Sequence, residues 1–142
     1  MKQFKLTIII PAYNEINTIQ ILIDKISEIR IAKQIILVDD CSSDGTSDVI
    51  FANRDKIDKI IVHEKNKGKG AAIQSAQKFV EGEYVIIQDA DLEYNPNDIL
   101  ILLNEIEKKN YQVIYGSRVL ENPENKKSQN FSHSLRIEGN FF

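Results

Sequence analysis

An apolar run ends abruptly in acidic residues at Val85-Ile86-Ile87-Gln88-Asp89-Ala90-Asp91-Leu92-Glu93. An Asp-x-Asp at a strand end presents two carboxylates that can grip a divalent ion, and the ion can in turn hold the diphosphate of an activated donor. That chemistry is group transfer. In extended chain Asp89, Asp91 and Glu93 fall on one side, with Ala90 and Leu92 on the other. A short Asp-rich turn that only closes a buried strand accounts for the same residues, and what separates the two is the chemistry at the other strand ends.

The segment Pro11-Ala12-Tyr13-Asn14-Glu15 follows the first apolar run. Tyr13 can stack on a flat base and Glu15 can accept a ribose or backbone hydrogen bond; otherwise Tyr13 covers the core edge and Asn14 and Glu15 are surface or capping groups. After the second run stands Asp39-Asp40-Cys41-Ser42-Ser43-Asp44-Gly45-Thr46. One carboxylate of the Asp39-Asp40 pair can accept from a base N–H while its neighbour faces elsewhere. Asp44 reads as a cap for the next helix, and Cys41 as an inert small side chain. Glu64-Lys65-Asn66-Lys67-Gly68-Lys69-Gly70 follows the third run. It has no Walker lysine-serine pair, and no Gly-x-Gly-x-x-Gly follows the first strand, so neither a P-loop ATPase nor a Rossmann dehydrogenase is supported. Gly68 and Gly70 allow a close turn and Lys69 can reach a phosphate, while Lys67 reads equally well as solvated.

Short β-branched runs at Leu6 to Ile10, Gln34 to Val38, Lys59 to Val62, Tyr84 to Ile87 and Gln112 to Tyr115 read as the strands that position these loops. Helical spacing of Ile19, Leu22, Ile23, Ile26 and Ile29 places a helix after Asn17, with Gln20 completing a capping box. A second helix is expected after Asp44 and a third from about Gly70 to Phe79. A fourth starts at Pro96 with Asn95 as N-cap and Ile99, Leu100, Leu103 and Ile106 as its apolar face. The resulting β-α alternation is the pattern of an α/β fold: an open, mostly parallel sheet with helices on both faces. Its ligands bind beyond the carboxyl ends of the strands. There the three polar loops converge.

With 142 residues, 42% of them apolar, the chain can fill one core. Its 18 basic and 21 acidic side chains leave a net charge of −3 without a basic block, so nucleic acid is not an expected partner. The single cysteine, Cys41, permits no internal disulfide and is compatible with a reducing compartment, here read as the cytoplasm. The opening Met1 to Pro11 is too short for a membrane span and reads as the first strand; contact with the cytoplasmic membrane face stays open. His63 reads as a packing or hydrogen-bonding residue, and neither it nor His133 belongs to a zinc pattern. Residues 1–118 form the expected core. Residues 119–142 read as a polar loop, Asn122 to Asn130, and a tail from Phe131 that could begin a helix of an acceptor-side region cut short.

Taken in order, Pro11 to Glu15, Asp39 to Thr46, Asn66 to Gly70, Asp89-Ala90-Asp91-Leu92 and Gly116-Ser117-Arg118 resemble the family 2 glycosyltransferases with a GT-A fold, a Rossmann-like nucleotide-sugar-binding architecture. The resemblance is closest to the polyprenyl-phosphate hexosyltransferases. It implies that Pro11, Tyr13, Glu15, Asp39 and Asp40 border the nucleoside, that Gly68 and Lys69 flank the nucleotide, and that Asp89, Ala90 and Asp91 lie at the diphosphate and at Mn2+ or Mg2+. These synthases often have Gln where this chain has Glu93, which as a carboxylate could add a metal ligand. Arg118 matches an acceptor-side arginine and, more loosely, Arg136 a second. The implied reaction is transfer of a hexose from a UDP- or GDP-sugar to a polyprenyl phosphate, with inversion and with Asp91 and Arg118 as the catalytic pair. The alternatives are transfer to a glycan hydroxyl, or a nucleotide-binding fragment without catalysis.

Overall fold

The computed structural model describes residues 3–110, 112–116 and 135–139. Isoleucine, leucine and valine dominate β1 (Leu6–Ala12) and β2 (Lys33–Asp39), and nearly every residue of both strands is buried. Such continuous burial belongs to strands covered on both faces. They pair in parallel, as do β2 with β3 (Lys59–Val62) and β1 with β4 (Tyr84–Ile87). The sheet order is β3-β2-β1-β4-β6-β5, with β5 at Val113–Gly116 and β6 at Leu135–Gly139. Between β1 and β4 the strand order reverses. That reversal opens a crevice past the carboxyl ends of the two strands, where α/β sheets hold their ligands.

Side-chain alternation sorts the helices. Leu6, Ile8 and Ile10 of β1 face one core with Leu37 and Ile86, closed by α1 (Ile19–Glu28), α2 (Thr46–Ala52) and α4 (Asp98–Lys109). Ile9, Ile36 and Val38 face the other, against Ala72 and Ala76 of α3 (Lys69–Gln77). Helices therefore cover both faces, as expected. A buried polar knot locks the turn from α3 into β4: Thr7 Oγ1 donates to Gln34 Oε1 at 2.7 Å, and the N–H groups of Glu81 and Gly82 bind these two oxygens. A Cβ on Gly82 would stand 2.5 Å from the Thr7 nitrogen.

Some expectations are corrected. The tail contributes a strand instead of a helix: Leu135-Arg136-Ile137-Glu138 alternates apolar and charged residues, and β6 runs antiparallel between β4 and β5. Asn17 is not the cap of α1. Thr18 holds the N-cap position, its carbonyl accepting from the Leu22 N–H, while Gln20 pairs with Asn53 and Asp24. Asn95 does accept from the Asn97 N–H, but in a turn that precedes α4. On α4 the buried set is Ile99, Leu102, Leu103 and Ile106, with Leu100 exposed. Among the described residues no helix is long and apolar enough to cross a membrane.

Candidate functional site

At the carboxyl edge the loops after β1 and β2 are tied together by side chains. Asn14 N–H donates to Ser42 Oγ at 2.9 Å and Asn14 Oδ1 accepts from the Ser43 N–H at 2.8 Å. The Glu15 N–H binds Thr46 Oγ1, and Asp44 accepts from the N–H groups of Ile16 and Thr46. Asp44 does not hold the capping position expected of it: Gly45 is the N-cap of α2, and Asp44, one residue earlier, closes the turn onto the Thr46 amide and hydroxyl. The Thr46 hydroxyl foremost holds the Asp44 carboxyl below the usual range, against an opposing effect of burial and with lesser help from the amides. Asn14, Cys41 and Leu92 have positive φ, at 54°, 67° and 63°. These non-glycine residues in an uncommon backbone region lie in the loops after β1, β2 and β4, where strain is often kept for ligand binding.

A cleft of about 280 Å³ opens between these loops, lined by Pro11, Ala12, Tyr13, Glu15, Asp40, Lys69, Ala72, Asp89, Ala90 and Asp91. Tyr13 is 48% exposed, so its ring is open to a flat ligand. Asp89 forms an ion pair with Lys69 Nζ at 2.5 Å. The expected alternation after β4 takes a different form, because the strand ends at Ile87 and residues 89–92 turn. Asp91 Oδ1 accepts from the Glu93 N–H at 3.0 Å, closing an Asx turn. Ala90 and Leu92 still pack against the core while Asp89 and Asp91 line the cleft. Glu93 is exposed and is not part of the lining. Among the described residues no three or more His, Cys, Asp or Glu side chains gather as a metal site, so Asp89 and Asp91 stand as a pair.

Asp39 and Asp40 diverge, as adjacent strand residues must. Asp39 is 1% exposed; its carboxylate accepts from the Ser42 N–H at 3.0 Å and from the Ser47 hydroxyl, and it lies behind the cleft lining. Asp40 borders the cleft and binds the loop before α3, accepting from the N–H of Lys67 at 2.9 Å and of Gly68 at 2.7 Å. Burial alone would raise its carboxyl, but His63 and the two amides hold it below the ordinary value. Gly68, at φ 85° and ψ 163°, takes a conformation essentially reserved for glycine. Sequence reasoning passed over Ala72, whose small side chain leaves the cleft floor open, and the link from Asp40 to His63 at 2.7 Å. Only the strand-end placement of His63 hinted at that link. Arg118 and His133 lie outside the described residues, and Arg136 is placed only as a β6 position.

A larger hollow of about 450 Å³ sits beside Lys33, Lys56 and Asp58, near the amino ends of β1 and β2. Its charged groups are engaged by the fold: Lys33 donates to the Ser27 and Ile29 carbonyls, Asp58 accepts from the Ile35 N–H, and Lys56 pairs with Asp24. The smaller cleft is the one lined by Tyr13, Lys69, Asp89 and Asp91.

A mostly parallel sheet with its acidic cleft at the strand-order reversal is the GT-A arrangement, and the chain belongs to glycosyl transferase family 2, whose model matches residues 7–141. It is 33% identical to the undecaprenyl-phosphate 4-deoxy-4-formamido-L-arabinose transferase of Yersinia pestis over 78% of this chain and 36% of that protein. The crystal structure of S. aureus TarS 1-349 in complex with UDP-GlcNAc superposes with a TM-score of 0.68 at 27% identity, over 78% of this chain and 33% of that one. The mannosyltransferase from Pyrobaculum calidifontis in complex with GDP-Man and Mn2+ gives 0.56 at 29% identity, over 61% and 27%. An uncharacterized protein of Methanocaldococcus jannaschii is 33% identical over 89% of this chain. The chain spans 58% of that relative's length and between 27% and 36% of the others'.

Proposed function

We propose that the whole protein transfers a hexose from a UDP- or GDP-sugar to a polyprenyl phosphate at the cytoplasmic membrane face, with inversion at the anomeric carbon. The observation that carries this reading is the placement of Tyr13, Lys69, Asp89 and Asp91 around one cleft at the β1/β4 reversal of a family 2 chain. The similar Yersinia enzyme is named for an undecaprenyl-phosphate substrate, which supports the acceptor class.

Asp89 and Asp91 suit a hard divalent cation such as Mn2+ or Mg2+. A carboxylate pair completed by substrate phosphates and water is a common way of holding Mg2+. When bound, the ion neutralises charge growing on the leaving diphosphate. The remaining work falls to the chain's own groups. Tyr13 offers a face for the base, Lys69 a cation for the phosphates, and the turn closed by Asp91 orients the carboxylates. An oxygen of the acceptor phosphate attacks the anomeric carbon as the bond from that carbon to the diphosphate oxygen breaks, releasing the nucleoside diphosphate. That oxygen is already ionised near neutral pH, so no strong protein base is required. Arg118 would orient the acceptor phosphate through its planar fork.

Calorimetric titration of the chain with UDP and GDP, each with and without Mn2+, tests the donor site; binding that strengthens with metal is expected. A radiolabelled-sugar assay on the whole protein tests the acceptor. Transfer confined to hydroxyl acceptors would move the function to glycan extension, and absence of any nucleotide binding would remove the donor-site reading.

A further inference from the structure

His63 closes β3 beneath the loop that leads into α3, and it is 6% exposed. Both ring nitrogens have partners: Nδ1 lies 2.7 Å from Asp40 Oδ1 and Nε2 lies 2.9 Å from Ser75 Oγ. An ionised Asp40 can only accept, so Nδ1 carries the proton. In the neutral ring Nε2 then accepts from the Ser75 hydroxyl. The imidazole therefore bridges the end of β2 to the middle of α3. The Asp40 carboxylate it orients accepts the Lys67 and Gly68 N–H groups. The next residue is Lys69, paired with Asp89 across the cleft.

We propose that His63 is a positioning residue for the donor site, fixing Asp40 so that the loop at Lys67 and Gly68 presents Lys69 toward the cleft. The inference rests on the donor-site reading for its consequence, but not for its geometry. His63 reaches the cleft lining through Asp40, and its other ring nitrogen is held by Ser75. Its contribution is directional. A buried carboxylate with one fixed hydrogen bond from His63 is restricted to the rotamer that meets both loop amides; without that bond the loop amides compete with solvent.

Three variants of the chain separate this role from simple packing. His63→Phe fills the space and removes both hydrogen bonds. His63→Asn retains a donor and an acceptor on a shorter side chain. Ser75→Ala removes only the Nε2 partner, at a helix position that favours alanine. Native-state hydrogen exchange at the Lys67 and Gly68 amides is read without nucleotide, and UDP and GDP titrations with Mn2+ follow. In His63→Phe, exchange at both amides should accelerate about tenfold or more, and nucleotide affinity should fall about tenfold. His63→Asn should restore a substantial part of both, and Ser75→Ala should accelerate both amides about threefold. A folded His63→Phe with parental exchange at both amides overturns the proposal. If that variant does not fold, parental exchange in Ser75→Ala overturns it instead. Faster amide exchange with unchanged nucleotide affinity also overturns it, since the loop would then not serve the donor. If the parent binds neither UDP nor GDP, the donor-site reading fails and the positioning role falls with it, whereas the amide result still decides whether His63 orders the loop.

Discussion

Asp91 and Asp89 occupy the same cleft with different partners, and this separates their expected effects. Asp91 is exposed and closes only its own turn, so Asp91→Ala should leave the core intact while removing the metal-dependent part of UDP or GDP affinity. Titration with and without Mn2+ measures this; equal affinities in parent and variant under both conditions would remove Asp91 from the metal role. Asp40 gives a pH signature. Its carboxyl is held low in the folded chain, so its stabilising contribution is complete above the unfolded value of about 3.9 and disappears as pH falls through the lower folded value. Melting curves between neutral and acid pH should show a parent that loses stability across that window and an Asp40→Asn variant, weaker at neutral pH, that loses less. The Asp-x-Asp could be singled out in the sequence only in company with the other polar strand ends, because a closing turn accounts for the same two residues on their own. The distinct duties of Asp39 and Asp40 were not legible, because adjacent carboxylates look alike until the loop amides that claim each one are in place.

At the scale of elements, α4 shows where periodicity stops deciding. Ile99 to Leu103 are all apolar, so several helical faces fit the pattern equally well, and it is packing into the core that buries Leu102 and leaves Leu100 exposed. Ile106→Ala, at a fully buried position, should cost about 2–5 kcal/mol in chemical denaturation. Ile101→Ala, where the side chain is 62% exposed, should stay within about 0.5 kcal/mol of the parent. The α3–β4 turn offers a sharper test. Because an added methyl at Gly82 meets backbone rather than a flexible side chain, Gly82→Ala should destabilise by about 1–3 kcal/mol, and a neutral effect would show that the knot at Thr7 and Gln34 yields easily. β1 and β2 could be read from sequence because nearly all of each strand is buried, whereas β3 and β4, only partly buried, were legible from their short β-branched runs. β6 was not, since its short alternation acquires meaning only from partners far back in the chain.

For the whole molecule, the sheet has a sequential half and an interrupted half. β1, β2, β3 and β4 bring the cleft together, whereas β5 reaches the sheet through β6, which pairs residues 84–86 with residues 137–139. If the whole protein is the proposed transferase, Arg118→Ala should reduce transfer to polyprenyl phosphate far more than it reduces nucleotide binding, with lysine restoring only part. The 142-residue chain should bind nucleotide and transfer little sugar. Parallel transfer and titration assays check both.

The antiparallel insertion of β6 also sets a timetable for synthesis and folding. While the chain emerges from its amino end, β4 can dock on β1, yet its other edge stays open until Leu135 to Gly139 arrive. During that interval the apolar segment Tyr84 to Ile87 is a template on which a second nascent chain could add a strand. Pulsed hydrogen exchange during refolding should therefore find β1 and β2 protected first and the amides of β5 last, with aggregation most concentration-dependent between the two events.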